Sequence, residues 1–284
     1  MRPPRLKPKS AWHHCYNRAA GCRGDQPIGK LEKEVFYRIL KRMNRLYTVE
    51  TVSFCVMDNH FHLILRAPEE TPGEAETLHR YKEFHRGKRE LAPGTMAARR
   101  WQARLRDVSC FLQHVQQVFT IWHNKHQPGP RRGYFWGSRF KNTVLEDGAA
   151  LRKCWAYVEN NSVRAGMVRH PSAYRFCSVG RWRQSGRHPF RFAVETLLLP
   201  SLGLEKIEDL LGLLEPEGEL VPGTFAGRFA RYVAGGLAIG SEAFVRGVMR
   251  TIFGEERVLN RELPVLLDEE DELFAWSRPR APAG

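Results

Sequence analysis

His60 and His62 flank Phe61 in a run, Val52 to Arg66, that is rich in apolar and β-branched residues and broken only by Asp58-Asn59. Residues two apart in a strand project from one face, so the two imidazoles point one way while Phe61, Leu63 and Leu65 point the other, into a core. Adjacent imidazoles on one face can grip a divalent metal. Taken alone, the same pair also reads as two hydrogen-bonded surface histidines. A second chemical feature lies in the run Trp155 to Gly166, where Tyr157 and Asn161 are four apart and share a face if the helix persists. A phenol over a bound cation can attack a phosphodiester. Free phenol titrates near about pH 10, so such a site needs a cation or base that favours phenolate. Without that setting, Tyr157 reads as a half-buried helix aromatic.

These residues need a sheet and a helix to position them, and the hydrophobic pattern supplies both. Trp12 to Arg18 reads as a strand and Leu31 to Leu46 as an amphipathic helix, with Leu31, Val35, Phe36, Ile39, Leu40 and Met43 on its apolar side. Strands at 48–57 and 60–66 follow, joined by the Asp58-Asn59 turn. Residues 67–105, broken by Pro68, Pro72 and Pro93, form an insertion that holds short helices. Val108 to His126 is a strong helix ended by Gln127-Pro128-Gly129-Pro130. A short strand at 140–145 precedes a helix at about 147–160. The order β-α-β-β-α-β predicts an α+β domain, an antiparallel sheet with helices packed on one face.

Composition narrows the partners. No apolar run is long enough to span a bilayer, and Met1-Arg2-Pro3-Pro4-Arg5 lacks a signal-peptide core, so a cytoplasmic protein is expected, associated with the nucleoid. The cysteines at 15, 22, 55, 110, 154 and 177 are dispersed and read as reduced thiols; a zinc site from Cys15, Cys22 and His13 or His14 lacks the usual spacing. Over residues 1–190, Lys and Arg outnumber Asp and Glu by 35 to 15, whereas from 191 onward they are outnumbered 10 to 16. A basic body with an acidic tail implies a polyanionic partner. Trp101, Trp122, Tyr134, Phe135, Trp136 and Phe140, interleaved with arginines, suit stacking on unpaired bases, although some of them must serve the core.

Three runs then converge on a family. Val56-Met57-Asp58-Asn59-His60-Phe61-His62-Leu63-Ile64-Leu65, Gly133-Tyr134-Phe135-Trp136-Gly137-Ser138-Arg139-Phe140 and Tyr157-Val158-Glu159-Asn160-Asn161-Ser162-Val163-Arg164-Ala165-Gly166-Met167-Val168 together resemble the REP-associated tyrosine transposases, members of the single-tyrosine HUH nucleases. Trp12 to Arg18 and Pro171 to Ser178 extend the resemblance over roughly residues 10–180. It implies a ferredoxin-like HUH catalytic domain at 1–185, including the insertion at about 67–105. It also implies single-stranded DNA, with hairpin-forming repeats, as the partner, Mg²⁺ or Mn²⁺ as cofactor, and cleavage that leaves a 5′-phosphotyrosyl link. Carried over by position, His60 and His62 become metal ligands, Asn161 a third ligand and Tyr157 the nucleophile. The family usually has Pro where this chain has Asp58 and Ser162, which changes the turn before the histidines and the end of the tyrosine helix without removing a catalytic atom.

Nucleic-acid contacts are expected from Arg18, Lys82, Arg86, Lys88, Arg89, Arg139, Lys141 and Arg164, with a solvated charged face as the alternative for the 82–89 cluster. Residues 190–284 read as a C-terminal helical extension. Helices are expected at Leu204–Leu214 and Phe225–Leu237, and another from about Ile239 with Ser241 as N-cap. Its Arg228, Arg231, Arg246 and Arg250 suit DNA, while its net acidity suits a packing or autoinhibitory role. The alternatives are a non-catalytic DNA-binding or regulatory protein that retains the fold, and a metal-independent RNA-binding protein that leaves the histidine pair unexplained. Monomer and homodimer are both compatible with the sequence.

Overall fold

The computed structural model describes residues 10–21, 25–127, 133–214, 225–259, 261–267 and 272–277. Along the first part of the chain the elements are β1 (Trp12–Arg18), α1 (Lys30–Leu46), β2 (Glu50–Val56), β3 (His60–Arg66), α2 (Glu74–Phe84), α3 (Met96–Leu105), α4 (Val108–His126), β4 (Lys141–Leu145), α5 (Ala149–Glu159) and α6 (Asn161–Arg164). Then come α7 (Ser178–Ser185), α8 (Arg191–Ala193), α9 (Leu199–Leu202), α10 (Phe225–Gly235), β5 (Gly236–Gly240), α11 (Glu242–Phe253), α12 (Glu255–Leu259), β6 (Val265–Leu267) and β7 (Glu272–Ser277). The strands form one sheet in the order β2-β3-β1-β4-β5-β7-β6. Every pairing is antiparallel except that of β4 with β5.

Strand alternation divides the sheet into two apolar faces. Cys15, Phe54, Phe61, Leu63 and Leu65 pack against Phe36 and Leu40 of α1 and Phe119 of α4. Trp12, Ile64 and Leu145 pack on the opposite face against Leu151, Trp155 and Val158 of α5. The expected α+β sheet is therefore present, but its helices cover both faces rather than one. The two central strands carry large apolar residues at odd and even positions alike, and each face needs its own cover. Fully burying a side chain such as Phe61, Phe36 or Phe119 is worth about 1.5–3 kcal/mol, so both layers hold β3 in place.

Local chemistry sets the boundaries of these elements. Asp107 caps α4, its Oδ1 accepting from the N–H of Ser109 at 2.6 Å and of Cys110 at 3.3 Å. The insertion forms α2 and α3, as its sequence predicts, and docks on α1 and α4 through an aromatic cluster: Phe84 lies 4.7 Å from Trp101 and 4.6 Å from His114, centroid to centroid. Arg80 donates to the carbonyls of Arg45 and Tyr47 and so satisfies the C-terminal end of α1.

Residues after 190 depart most from the sequence reading. Ile207–Leu213 is a 3-10 helix within the span expected to be helical, while the helix expected at 225–237 ends at Gly235. The chain turns there into β5, whose Ala238 and Ile239 pair with Val144 and Leu145. A side chain at Gly236 would meet the Tyr232 carbonyl oxygen at 2.4 Å, so the close helix-to-strand turn requires glycine. Ser241 is the N-cap of α11, accepting from Phe244 N–H at 3.2 Å, but Ile239 belongs to the strand before it. The region is thus not only helical: β5, β6 and β7 extend the sheet past β4 and cover what would be an open edge. Among the described residues, no helix is long and apolar enough to cross a membrane.

Candidate active site

The hairpin β2–β3 places the histidines. Met57 N–H donates to the His60 carbonyl at 2.7 Å, closing a tight turn over Asp58-Asn59. Asp58, at the position where the resembled family has Pro, is held by Lys33 of α1 at 2.5 Å. Lys33 is itself buried and lies over the rings of Tyr174 and Phe176 at 5.4 and 5.0 Å. The turn is thus fixed by an ion pair to the helix below it.

His60 and His62 lie together on the face of the sheet that α5 covers, their ring centroids 5.1 Å apart. The register of β1 against β3 sets Tyr16 opposite His62, and the Tyr16 ring lies 4.9 Å from His62 and 5.5 Å from His60. Tyr157, near the end of α5, approaches from above, with its ring 5.5 Å from that of His62 and 6.1 Å from that of His14. The Arg164 guanidinium stacks 3.9 Å from the Tyr157 ring centroid, and its Nη2 donates to the Tyr157 carbonyl. A fixed positive charge therefore stands beside the phenol.

The tyrosine helix is interrupted: α5 ends at Glu159, Asn160 is a turn, and α6 restarts at Asn161. Asn161 nonetheless remains one turn beyond Tyr157, and its Nδ2 donates to the carbonyls of Tyr157 at 2.9 Å and Val158 at 3.3 Å. Glu159, two residues from Tyr157, turns away from the phenol. It is fully buried, accepts from Ser53 Oγ at 2.7 Å and from Val179 N–H at 3.0 Å, and so ties α5 to β2 and to the N-terminus of α7. Burial pushes its carboxyl up to about 7.

Burial also sets the charge state of the imidazoles. It lowers His14 and His60 to about 4 and His62 well below the ordinary histidine value, with nearby positive groups, Arg164 among them, acting in the same direction. All three are neutral at pH 7, the state in which imidazole binds metal. His60 Nδ1 lies 2.7 Å from Asn59 Oδ1, an acceptor, and His62 Nδ1 lies 2.8 Å from His14 Nε2. Both Nδ1 atoms are occupied, which leaves Nε2 as the donor atom on each ring. His60 and His62, neutral and on one face of the sheet, and Asn161, one turn beyond Tyr157, are the residues here that could hold a divalent cation. Among the described residues, no group of three His, Cys, Asp or Glu side chains is arranged to hold a metal.

The structure sorts the other candidates by face. Arg18 pairs with His60 across the strands, Lys141 Nζ lies 5.7 Å from the centroid of the Tyr16 ring, and Arg139 precedes Lys141 by two residues. Arg18, Lys141 and Arg164 are thus grouped near the histidines, whereas Arg139 lines a groove with Gln113, Gln116 and Gln117 of α4. Lys82 and Arg86 lie elsewhere, beside α1 on the opposite face of the sheet. They line a groove of about 690 Å³ with Arg42, Arg45 and His79, while Lys88 and Arg89 are exposed in the turn that follows. Lys82 is paired to Glu90 at 2.6 Å. In the C-terminal region, Arg246 pairs with Glu242 and Arg250 with Glu255, Arg231 is exposed, and the Arg228 side chain lies outside the described residues.

The aromatic residues expected to stack on bases are mostly structural. Phe135 and Phe140 are core residues, Trp122 and Trp136 pack against that core, and Trp101 sits in the Tyr81–Phe84 cluster. Tyr134, 91% exposed, is the exception among them. Strand alternation removes only the His14 version of the zinc reading. His13 and Cys15 reach Asn142 on one face while His14 points to the other, and Cys22 lies outside the described residues. No disulfide joins the described cysteines to one another.

Sequence reasoning missed His14 and Tyr16 as members of the site. The available signal was strand parity, since both share a face of β1, the strand that had to lie beside the histidines. It also missed Phe229 of α10, whose ring lies 6.4 Å from that of Tyr157.

No protein-family model matches the chain, and no curated protein matches it significantly. Among solved structures, the chain is similar to the REP-associated tyrosine transposase bound to a REP hairpin, at 16% identity and a TM-score of 0.45, over 67% of this chain and 89% of that one.

Proposed function

We propose that this protein is a metal-dependent single-stranded DNA endonuclease and strand transferase, a transposase of the HUH type that acts at hairpin-forming repeats through Tyr157. The observation that carries this reading is the meeting of Tyr157 with the His60–His62 pair, at 5.5 Å between the Tyr157 and His62 rings, across about one hundred residues of sequence. A structural tyrosine has no need of two neutral imidazoles and a guanidinium around it.

In this scheme the Tyr157 hydroxyl attacks a backbone phosphorus. The Tyr157 O–P bond forms, the P–O3′ bond breaks, the phenolic proton is lost, and the departing 3′ oxygen takes up a proton. Arg164, stacked on the ring, stabilises the negative charge that develops on the phenol oxygen and the phosphoryl group. His60, His62 and Asn161 would hold Mg²⁺ or Mn²⁺. The bound cation would polarise the scissile phosphate and make phosphorus more electrophilic. Arg18, Arg139 and Lys141 steer and seat the strand by neutralising phosphates, so binding weakens as salt rises.

The test is a cleavage assay on single-stranded DNA hairpins with Mn²⁺ or Mg²⁺, in which covalent protein–DNA adducts are resolved on a denaturing gel. Wild type is expected to give a metal-dependent adduct that Tyr157→Phe loses while retaining DNA binding. Tight DNA binding without an adduct on a broad hairpin pool would replace this reading with that of a DNA-binding regulator.

A further inference from the structure

His14 lies between His62 and the C-terminal region. Its Nδ1 is 3.0 Å from the carbonyl oxygen of Val233 in α10, and its Nε2 is 2.8 Å from Nδ1 of His62. A carbonyl oxygen can only accept, so His14 Nδ1 carries a proton and donates it. The neutral ring then has one lone pair left, at Nε2, and that lone pair must accept from His62 Nδ1–H. Every bond in the series runs in one direction, and the last proton assigned leaves His62 bare at Nε2.

We propose that His14 is a positioning residue that fixes the tautomer and ring orientation of His62, holding the His62 proton on Nδ1 and its Nε2 lone pair toward a metal ion. The tautomer follows from the geometry alone, whereas its use for metal binding rests on the function proposed above. A hydrogen-bond acceptor on the far nitrogen of a ligating imidazole orients the ring and raises its basicity. Three features support the relay over simple core filling. The His14 and His62 ring planes are nearly parallel, 23° apart with centroids at 5.1 Å, and the facing nitrogens are 2.8 Å apart. His14 is 1% and His62 2% exposed, so water does not compete for these nitrogens. The Val233 carbonyl is fixed by a second donor, Thr143 Oγ1 of β4 at 3.0 Å, so the start of the series is held by both the central sheet and α10.

His14 is not itself a ligand in this arrangement, because its Nε2 is engaged with His62. The relay also makes the C-terminal region part of the site: α10 contributes no reacting group, yet its backbone decides which nitrogen of His62 is available.

The test uses the full chain labelled with ¹⁵N-histidine, metal-free at pH 7.5, with ring tautomers read from long-range ¹H–¹⁵N correlations. Nδ1–H forms are expected for both His14 and His62. His14→Phe should shift His62 toward a mixture of tautomers and weaken Mn²⁺ binding, measured by EPR titration, by about 10–100-fold. His14→Gln, whose amide oxygen can still accept near the position of the ring Nε2, should recover most of that affinity. A wild-type His62 protonated at Nε2, or equal Mn²⁺ affinity in wild type and His14→Phe, overturns the proposal. If His14→Phe does not fold, the wild-type tautomers decide it alone. Nδ1–H tautomers together with no Tyr157 adduct would remove the proposed reaction and leave the relay standing.

Discussion

Ser162 is fully buried, and its hydroxyl has no hydrogen-bond partner. An orphaned polar atom costs about 1–3 kcal/mol of lost solvation, and nothing at the site uses it. Ser162→Ala is therefore expected to raise thermal stability, by about 1 kcal/mol once the small cavity is counted, without changing Tyr157 adduct formation. A lower melting temperature in Ser162→Ala would show that the hydroxyl is engaged after all. Glu159 is the opposite case, since its two carboxyl oxygens join three elements. Glu159→Ala leaves Ser53 Oγ and the Val179 N–H without their acceptor and is expected to cost about 3 kcal/mol, read as a fall in the urea midpoint. Single residues were partly legible in the sequence. His60, His62 and Tyr157 announce themselves by type and spacing, but the burial of Glu159 does not, because a glutamate in a helix is ordinarily solvated.

At the scale of elements, the turn that presents the histidines depends on a charged pair with unequal members. The Lys33 side chain is 5% exposed and that of Asp58 29%. Removing the carboxylate strands a buried ammonium, whereas removing the ammonium leaves a carboxylate that water can reach. Asp58→Ala is thus expected to destabilise more than Lys33→Met, by roughly 1–2 kcal/mol, and chemical denaturation of the two variants gives the order. Equal losses would mean that the Tyr174 and Phe176 rings suffice to hold Lys33. Most elements were legible, from β1 through α5, because each carries a full period of its own apolar pattern and a turn or cap at its end. The break at Asn160 and the strand β5 were not. Gly236-Leu237-Ala238-Ile239-Gly240 is too short and too apolar for its period to separate strand from helix, and only the open edge of β4 makes it a strand.

The whole molecule behaves as one sheet with a chemical face, and its buried titratable groups set how stability responds to pH. Burial lowers His13 to about 4 and His188 to about 3, from an ordinary 6.5, so the unfolded chain binds protons first as pH falls and stability is lost from about 6.5 downward. Burial raises Glu50 and Glu159 to about 7 from 4.5; their contribution is complete below 4.5 and is lost as pH rises through about 7. His14, His60 and His114 are lowered to about 4 in the same way, so the histidines outnumber the two carboxyls where the trends oppose, and the melting temperature of the metal-free protein should rise to about pH 6.5, fall slightly to about pH 7 and then level off. Glu50→Gln should lessen the fall between pH 6.5 and about 7, and a curve that keeps rising to pH 8 would rule this account out. Truncation after residue 214 should give an aggregating product, seen by light scattering, because it bares the β4 edge and the faces that β5 and α10 cover. What the sequence by itself determined was the α+β class, the elements through α5, the basic body, and the histidines, tyrosine and asparagine that could do chemistry, since these follow from residue type and short-range period. Only the tertiary structure decided that Lys82 and Arg86 lie away from the histidines, that helices cover both faces, and that His14 bridges His62 to the Val233 carbonyl of α10. Those outcomes depend on which strands become neighbours and in what register, and strand pairing is a contact between distant segments that no local pattern encodes.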